Sequence, residues 1–309
     1  WGKTSKEIKN YLSKETYVTQ INDAVIFGAT NIVLGGGYFL NDLICDDIQK
    51  RIDLRDGVLR KIEGSDAFIS ESEEMNLCEK AISIVGGASY NYYHLLIEIL
   101  PKLVIIDCFE EYRHIPILVD DVVLNIPQFR RVLDVINVCN HPVIAVKNHE
   151  KWFVKNLIYA SNHSWMPINL YNRDMLFISD FMIAESYLYK LRDKILENIH
   201  LDDENGEKQK YFVSRKNTNN VRLKNEQEIR NIFEMNGYEV IYPEELTFEE
   251  QIKCFRRAKC VVAASGAALT NIIFCQPGTK IICLIPREFK FHMYSTIAHL
   301  FELEPIFLD

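Results

Sequence analysis

No run of about 18 apolar residues occurs in the chain, so a membrane-crossing helix is not supported. Its eight cysteines, Cys45, Cys78, Cys108, Cys139, Cys254, Cys260, Cys275 and Cys283, contain no C-x-x-C pair. That spacing signals neither a zinc ribbon nor a thioredoxin-like site. There is no H-E-x-x-H among the histidines and no clear D-x-D of the kind that holds a metal–diphosphate, so no metal is indicated. Walker and complete G-x-G-x-x-G motifs are missing too, as are internal repeats and low-complexity segments. Positive charge is in deficit, with 35 Lys and Arg against 43 Asp and Glu, a net charge of -8 and a pI near 5.6. This argues against a general nucleic-acid binder, which presents a basic face. The first residues, W-G-K-T-S-K-E-I-K, lack the apolar core of a signal peptide.

What remains is the composition of a globular protein: 309 residues, 48% hydrophobic and 25% charged, enough for two domains with real cores. Several cysteines lie inside apolar runs such as K-C-V-V and I-I-C-L-I, which reads as buried, reduced thiols.

Along the chain, D-A-V-I-F and N-I-V-L flank a G-A-T turn, G-G-G-Y-F-L follows, and these predict short strands of a hairpin or small sheet. Residues 41–62 are charge-rich and ambiguous. From residue 80 strands and helices alternate. A-I-S-I-V-G-G is a strand, Asn91 to Cys108 a helix interrupted by Pro101, and I-P-I-L-V-D-D a strand. P-Q-F-R-R-V-L-D-V-I is a helix, P-V-I-A-V and W-F-V-K-N-L-I-Y-A are strands, and a long helix fits Asp174 to His200. The last third is more regular. The strand Y-F-V-S leads to a helix closed by Gly237. T-F-E-E-Q-I begins a helix with Thr247 as N-cap and Glu250 as its capping-box partner. C-V-V-A-A, a helix from about Ala267, K-I-I-C-L-I-P, a final helix and P-I-F-L follow. Such alternation predicts α/β architecture with parallel sheets covered on both faces. Two such runs suggest two Rossmann-like domains facing a central cleft: an N-terminal domain over 1–170, with a β-rich lead-in over 1–75, and a C-terminal domain over 171–309. The last helix is expected to pack back on the first domain.

Ligands of open α/β sheets bind at the C-terminal ends of strands, and two candidate loops fall there. Ser214 and Arg215 follow Y-F-V-S, with Arg222 and Asn225 just before the next helix. Arginine presents a planar fork of donors suited to phosphate oxygens. The plainer alternative is a pair of surface arginines. Ser265 and Gly266 follow C-V-V-A-A in A-A-S-G-A-A-L-T-N. Small residues allow close backbone approach, and a helix start offers free N–H groups. The alternative is a tight crossover that needs Gly266 for geometry. His94 and Glu98 are four apart in N-Y-Y-H-L-L-I-E and so share a helical face. A histidine oriented by a carboxylate is a common general base, although an ordinary i,i+4 pair has the same spacing.

In order along the chain, N-Y-Y-H-L-L-I-E-I-L-P-K-L, S-R-K-N-T-N-N-V-R-L-K-N-E, P-E-E-L-T-F-E-E-Q-I and S-G-A-A-L-T-N-I-I-F-C-Q-P-G resemble the motifs of glycosyltransferase family 61. The likeness covers roughly residues 86 to 290. It implies a GT-B fold and inverting transfer from a nucleotide-sugar, usually a UDP-sugar, with no obligatory metal and no other cofactor. By that resemblance Arg215 and Arg222 hold the diphosphate, and Glu245 and Gln251 lie near the nucleotide. Gly266, Ala267, Thr270 and Asn271 form the donor-side turn. His94 or Glu98 deprotonates an acceptor hydroxyl on a glycan or lipid-linked saccharide. Ser265 stands where the family has His, and Leu95 where it has Trp. Ser265 keeps a second reading open, an inactive nucleotide-sugar-binding domain; a GT-B-shaped UDP-sugar epimerase is a third. Lys, Asn and Ile usage sets the expectation of a bacterial cytoplasmic enzyme of surface polysaccharide synthesis, peripheral to the inner membrane face, with no nucleic-acid partner.

Overall fold

The computed structural model describes residues 15–40, 57–64, 66–70, 72–166, 182–201, 207–216, 223–285 and 293–308. These fall into two units, one ending at Ile195 and the other beginning at Leu196. The division lies beyond the expected residue 170, because most of the helix Glu185–Asn198 belongs with the first unit. In that helix Tyr187 meets the His163 ring edge-on, and Lys194 reaches Asp107. The helix is shorter than expected: residues 182–184 are not helical, and residues 174–181 lie outside the described residues.

In the first unit the described strands β1 (Val18–Phe27), β2 (Val33–Gly35), β3 (Tyr38–Leu40), β6 (Asn76–Ser83), β7 (Ile117–Asp120), β8 (Val143–Val146) and β9 (Lys151–Ala160) form one sheet. Its order is β3-β2-β1-β9-β6-β7-β8. The hairpin around G-A-T is present, with Val25 opposite Leu34, but β1 runs five residues further back than its apolar core suggested. β9, β6, β7 and β8 run parallel to one another, whereas β1 is antiparallel to both β2 and β9. The sheet is therefore mixed rather than Rossmann-like throughout. One core runs along it: Ala24 and Ile26 of β1 belong to the same cluster as Leu118 of β7 and Val146 of β8, three and four places along in strand order. A separate hairpin, β4 (Leu59–Glu63) with β5 (Asp66–Ile69), packs Leu59 on Phe27 and Ile32. Its charge-rich sequence hid it.

Three consecutive helical segments, Tyr92–His94, Leu95–Ile99 and Leu100–Ile106, make one continuous helix, α1. Leu95, Leu96, Leu100, Leu103 and Ile106 on it are fully buried, each contributing about 1.5–3 kcal/mol relative to exposure. After β7 come α2 (Asp121–Asn125) and α3 (Pro127–Ile136), the second placed where the sequence predicts it. Pro127 stands in the first turn, where its missing N–H costs nothing. The helix Glu185–Asn198 is α4.

The second unit holds β10 (Gln209–Val213), β11 (Glu239–Ile241), β12 (Ala258–Ala264), β13 (Lys280–Leu284) and β14 (Glu304–Leu308), all parallel, in the order β11-β10-β12-β13-β14. This is a doubly wound arrangement whose winding reverses between β10 and β12. The predicted caps are in place. Gly237, at φ 76, closes α5 (Glu226–Met235), and Thr247 and Glu250 make a reciprocal capping box on α6 (Phe248–Arg257). The final helix α7 (Met293–Leu300) is anchored in its own unit, where the Tyr294 hydroxyl donates to the Gly266 carbonyl at 2.6 Å.

Candidate active site

Two loops of the first unit fix the start of α1. The Gly86 N–H donates to Asp120 Oδ2 at 3.0 Å, and the Gly87 N–H to Asn31 Oδ1 at 3.2 Å. A Cβ on Gly86 would meet the Ile99 side chain at 2.9 Å, so the loop lies directly on the helix it introduces. Asp120 Oδ1 also accepts from the Ala29 N–H at 2.6 Å. One carboxylate thus ties the turn after β1 to the loop after β6. Burial pushes this carboxyl up to about 6, although the two N–H groups and Ser89 pull it down. Asn91 then caps α1, accepting from the Tyr93 N–H at 2.9 Å.

His94 and Glu98 face each other on α1, with Nδ1 3.0 Å from Oε2. They are 3% and 8% exposed, which distinguishes them from a solvated surface pair. The carboxylate accepts the Nδ1 proton, and the lone pair then resides on Nε2, for which no hydrogen bond is found among the described residues. Glu98 Oε1 is buried without a partner among the described residues. A buried orphan acceptor is costly, and native proteins keep few of them.

The pair is carried on a π-turn, Leu95–Ile99, a local geometry common at functional sites. Pro101 explains it. Proline has no N–H for the Ile97 carbonyl and its ring crowds that oxygen. The expected interruption does not occur; the helix widens and continues. The Ile97 carbonyl is served by His163 Nε2 at 3.2 Å instead. Burial, and then the charge of Lys102, hold the His163 imidazole down at about 3, so it is neutral.

In the second unit, Ser214 and Arg215 follow β10 and Ser265 and Gly266 follow β12, at the two strands where the winding reverses. A Cβ built on Gly266 would lie 1.9 Å from Arg215 Nη2. The guanidinium therefore points its Nη2 into the space that a side chain here would need. Gly266 has φ 176, an extended conformation open to any residue, so the requirement is for space and not for a crossover's geometry. The segment that follows, Ala267–Phe274, is a 3-10 helix rather than an α-helix.

The other candidates are placed as follows. Arg222 lies outside the described residues. Asn225 occupies the N-cap position of α5 but its side chain makes no capping bond; the neighbouring Glu226 takes the Ser214 hydroxyl at 2.5 Å. Glu245 accepts from Lys216 Nζ at 2.8 Å with both oxygens, and Lys216 lies 4.4 Å over the Tyr242 ring. Gln251, Thr270 and Asn271 are buried. Gln251 donates to the Pro243 carbonyl and accepts from Asn271, both at 2.9 Å, so these two amides brace the P-E-E-L loop against the 3-10 helix. Asp120, Asn31, His163 and Lys216 were missed in the sequence. Their partners are remote along the chain.

In comparison with known proteins, residues 92–282, more than half of the chain, match the family described as Glycosyltransferase 61. No curated protein matches the chain.

Proposed function

The chain belongs to glycosyltransferase family 61, and from that premise we propose that it is an inverting enzyme of GT-B type. It moves a hexose or pentose from a UDP-sugar to a hydroxyl of a glycan or lipid-linked saccharide. The observation that carries this reading is the buried His94–Glu98 pair, with Nδ1 committed to the carboxylate. Nε2 is then the base. It takes the acceptor proton as that oxygen attacks the anomeric carbon, the bond from that carbon to the diphosphate oxygen breaks, and the configuration inverts. Glu98 stabilises the imidazolium so formed. Arg215, held over Gly266 where the winding reverses, offsets the charge growing on the leaving diphosphate. No metal step is invoked, so turnover proceeds without added Mg2+ or Mn2+. The setting we propose is surface polysaccharide synthesis at the cytoplasmic face of the inner membrane.

The test is turnover of UDP-sugars with saccharide acceptors alongside calorimetric titration of UDP. His94→Ala is expected to lose about 10²–10⁴ in rate while UDP affinity stays; full turnover in that variant would place the base elsewhere. Ser265, at the family's His position, favours one competing reading, a domain that binds nucleotide-sugar without turning it over. Nucleotide binding with no transfer to any acceptor would select it. Conversion of the donor sugar without acceptor would select an epimerase.

A further inference from the structure

A second cluster lies at the far end of α1. Asp107 caps its last turn, and Cys139 and His141 come from the segment between α3 and β8. The carboxylate oxygen, the thiol sulfur and an imidazole nitrogen of these three residues all lie within 4.8 Å of one another. Asn137 shapes the segment, accepting from the His141 N–H at 2.9 Å and donating to its carbonyl at 3.0 Å.

The His141 ring is held between two acceptors, with Nδ1 2.8 Å from the Ile115 carbonyl and Nε2 3.0 Å from Asp107 Oδ1. A neutral imidazole donates from only one nitrogen. With Nδ1–H committed to the carbonyl, Nε2 turns its lone pair toward Asp107 Oδ1, the orientation of a metal-binding histidine. The arrangement around the cluster is that of a metal site's outer ring, in which a backbone carbonyl orients the histidine and a further group bonds the carboxylate's other oxygen. Here Lys194 bonds Asp107 Oδ2.

We infer that Asp107, Cys139 and His141 bind one divalent transition metal of the zinc class, away from the transfer chemistry and independent of it. The mixed N, S and O donors suit Zn2+, with metal–ligand distances of about 2.0–2.3 Å. The thiolate is the ligand form of cysteine, so binding releases the thiol proton. Cys139 is only partly buried, which leaves room for water as a fourth ligand. The metal would fasten the end of α1 to the segment before β8. Sequence spacing hid the site, because the C-x-H in V-C-N-H-P needs an aspartate from another element.

Titration of the metal-stripped full-length protein with Co2+ tests this. One equivalent is expected to give a thiolate-to-cobalt charge-transfer band. Cys139→Ser should abolish that band, His141→Gln should weaken binding at least tenfold, and Lys194→Met should keep the stoichiometry. No Co2+ or Zn2+ uptake by the wild-type chain overturns the inference, and so does a band that survives Cys139→Ser. Neither readout depends on transfer activity.

Discussion

Arg215 and Gly266 are 51 residues apart in sequence, yet the guanidinium lies where a side chain on the glycine would have to go. Gly266→Ala therefore probes the diphosphate clamp without deleting a charge. Its extended backbone is open to alanine, so the thermal midpoint should stay within a degree or two. The arginine, however, must swing away, and UDP affinity should fall about tenfold or more, roughly 1.4 kcal/mol. Calorimetric titration beside a thermal melt separates the two effects. An affinity equal to wild type would mean that Arg215 does not hold the diphosphate in this pose. Motif resemblance singled out both residues but not the relation between them. Resemblance also could not separate Arg215 from Gln251 and Asn271, whose amides are spent on each other and on the Pro243 carbonyl.

At the scale of the element, α1 shows what periodicity conveys and what it conceals. The i,i+4 spacing put His94 and Glu98 on one face, and they do meet. Pro101 was legible as a disturbance, but its outcome depends on His163, which comes from the segment after β9 and donates to the carbonyl that proline leaves free. Pro101→Ala restores an N–H aimed at the Ile97 carbonyl and lets the π-turn relax toward α geometry. The expected result is a thermal midpoint equal to or above wild type, with transfer reduced at least tenfold, the pattern of a strained turn kept for activity. Unchanged turnover with unchanged UDP affinity would show that the π-turn does not set the alignment of the base. Elsewhere the strongly periodic pieces, α3 and the capped α6, were readable almost to the residue, because their caps and apolar faces are local. The β4–β5 hairpin and the antiparallel β1–β9 pairing were not, since each depends on partners supplied from elsewhere in the chain.

Across the molecule, stability against pH rests partly on two buried groups that the sequence did not mark, and they act in opposite senses. Asp120 is raised from 3.8 to about 6 by burial. Between about pH 4 and 6 the folded chain keeps a proton that the unfolded chain has released, so this group stabilises the fold as pH falls and loses that contribution as pH rises through 6. His163 is lowered from 6.5 to about 3, again chiefly by burial. Below 6.5 the unfolded chain gains a proton that the folded chain refuses, so this group costs stability as pH falls. Each slope approaches about 1.4 kcal/mol per pH unit at most. They cancel where the windows overlap, between about pH 4 and 6. Denaturant unfolding across that range, taken as the difference from wild type, removes the background of all other carboxylates. Asp120→Asn should lose stability on acidification faster than wild type, His163→Gln should gain relative to wild type, and the double variant should run parallel to it. Two single variants whose slopes move in the same direction would show that at least one of these groups does not titrate as its burial demands. That would also undercut the reading of Asp120 as a buried carboxylate holding together the loops that introduce the base.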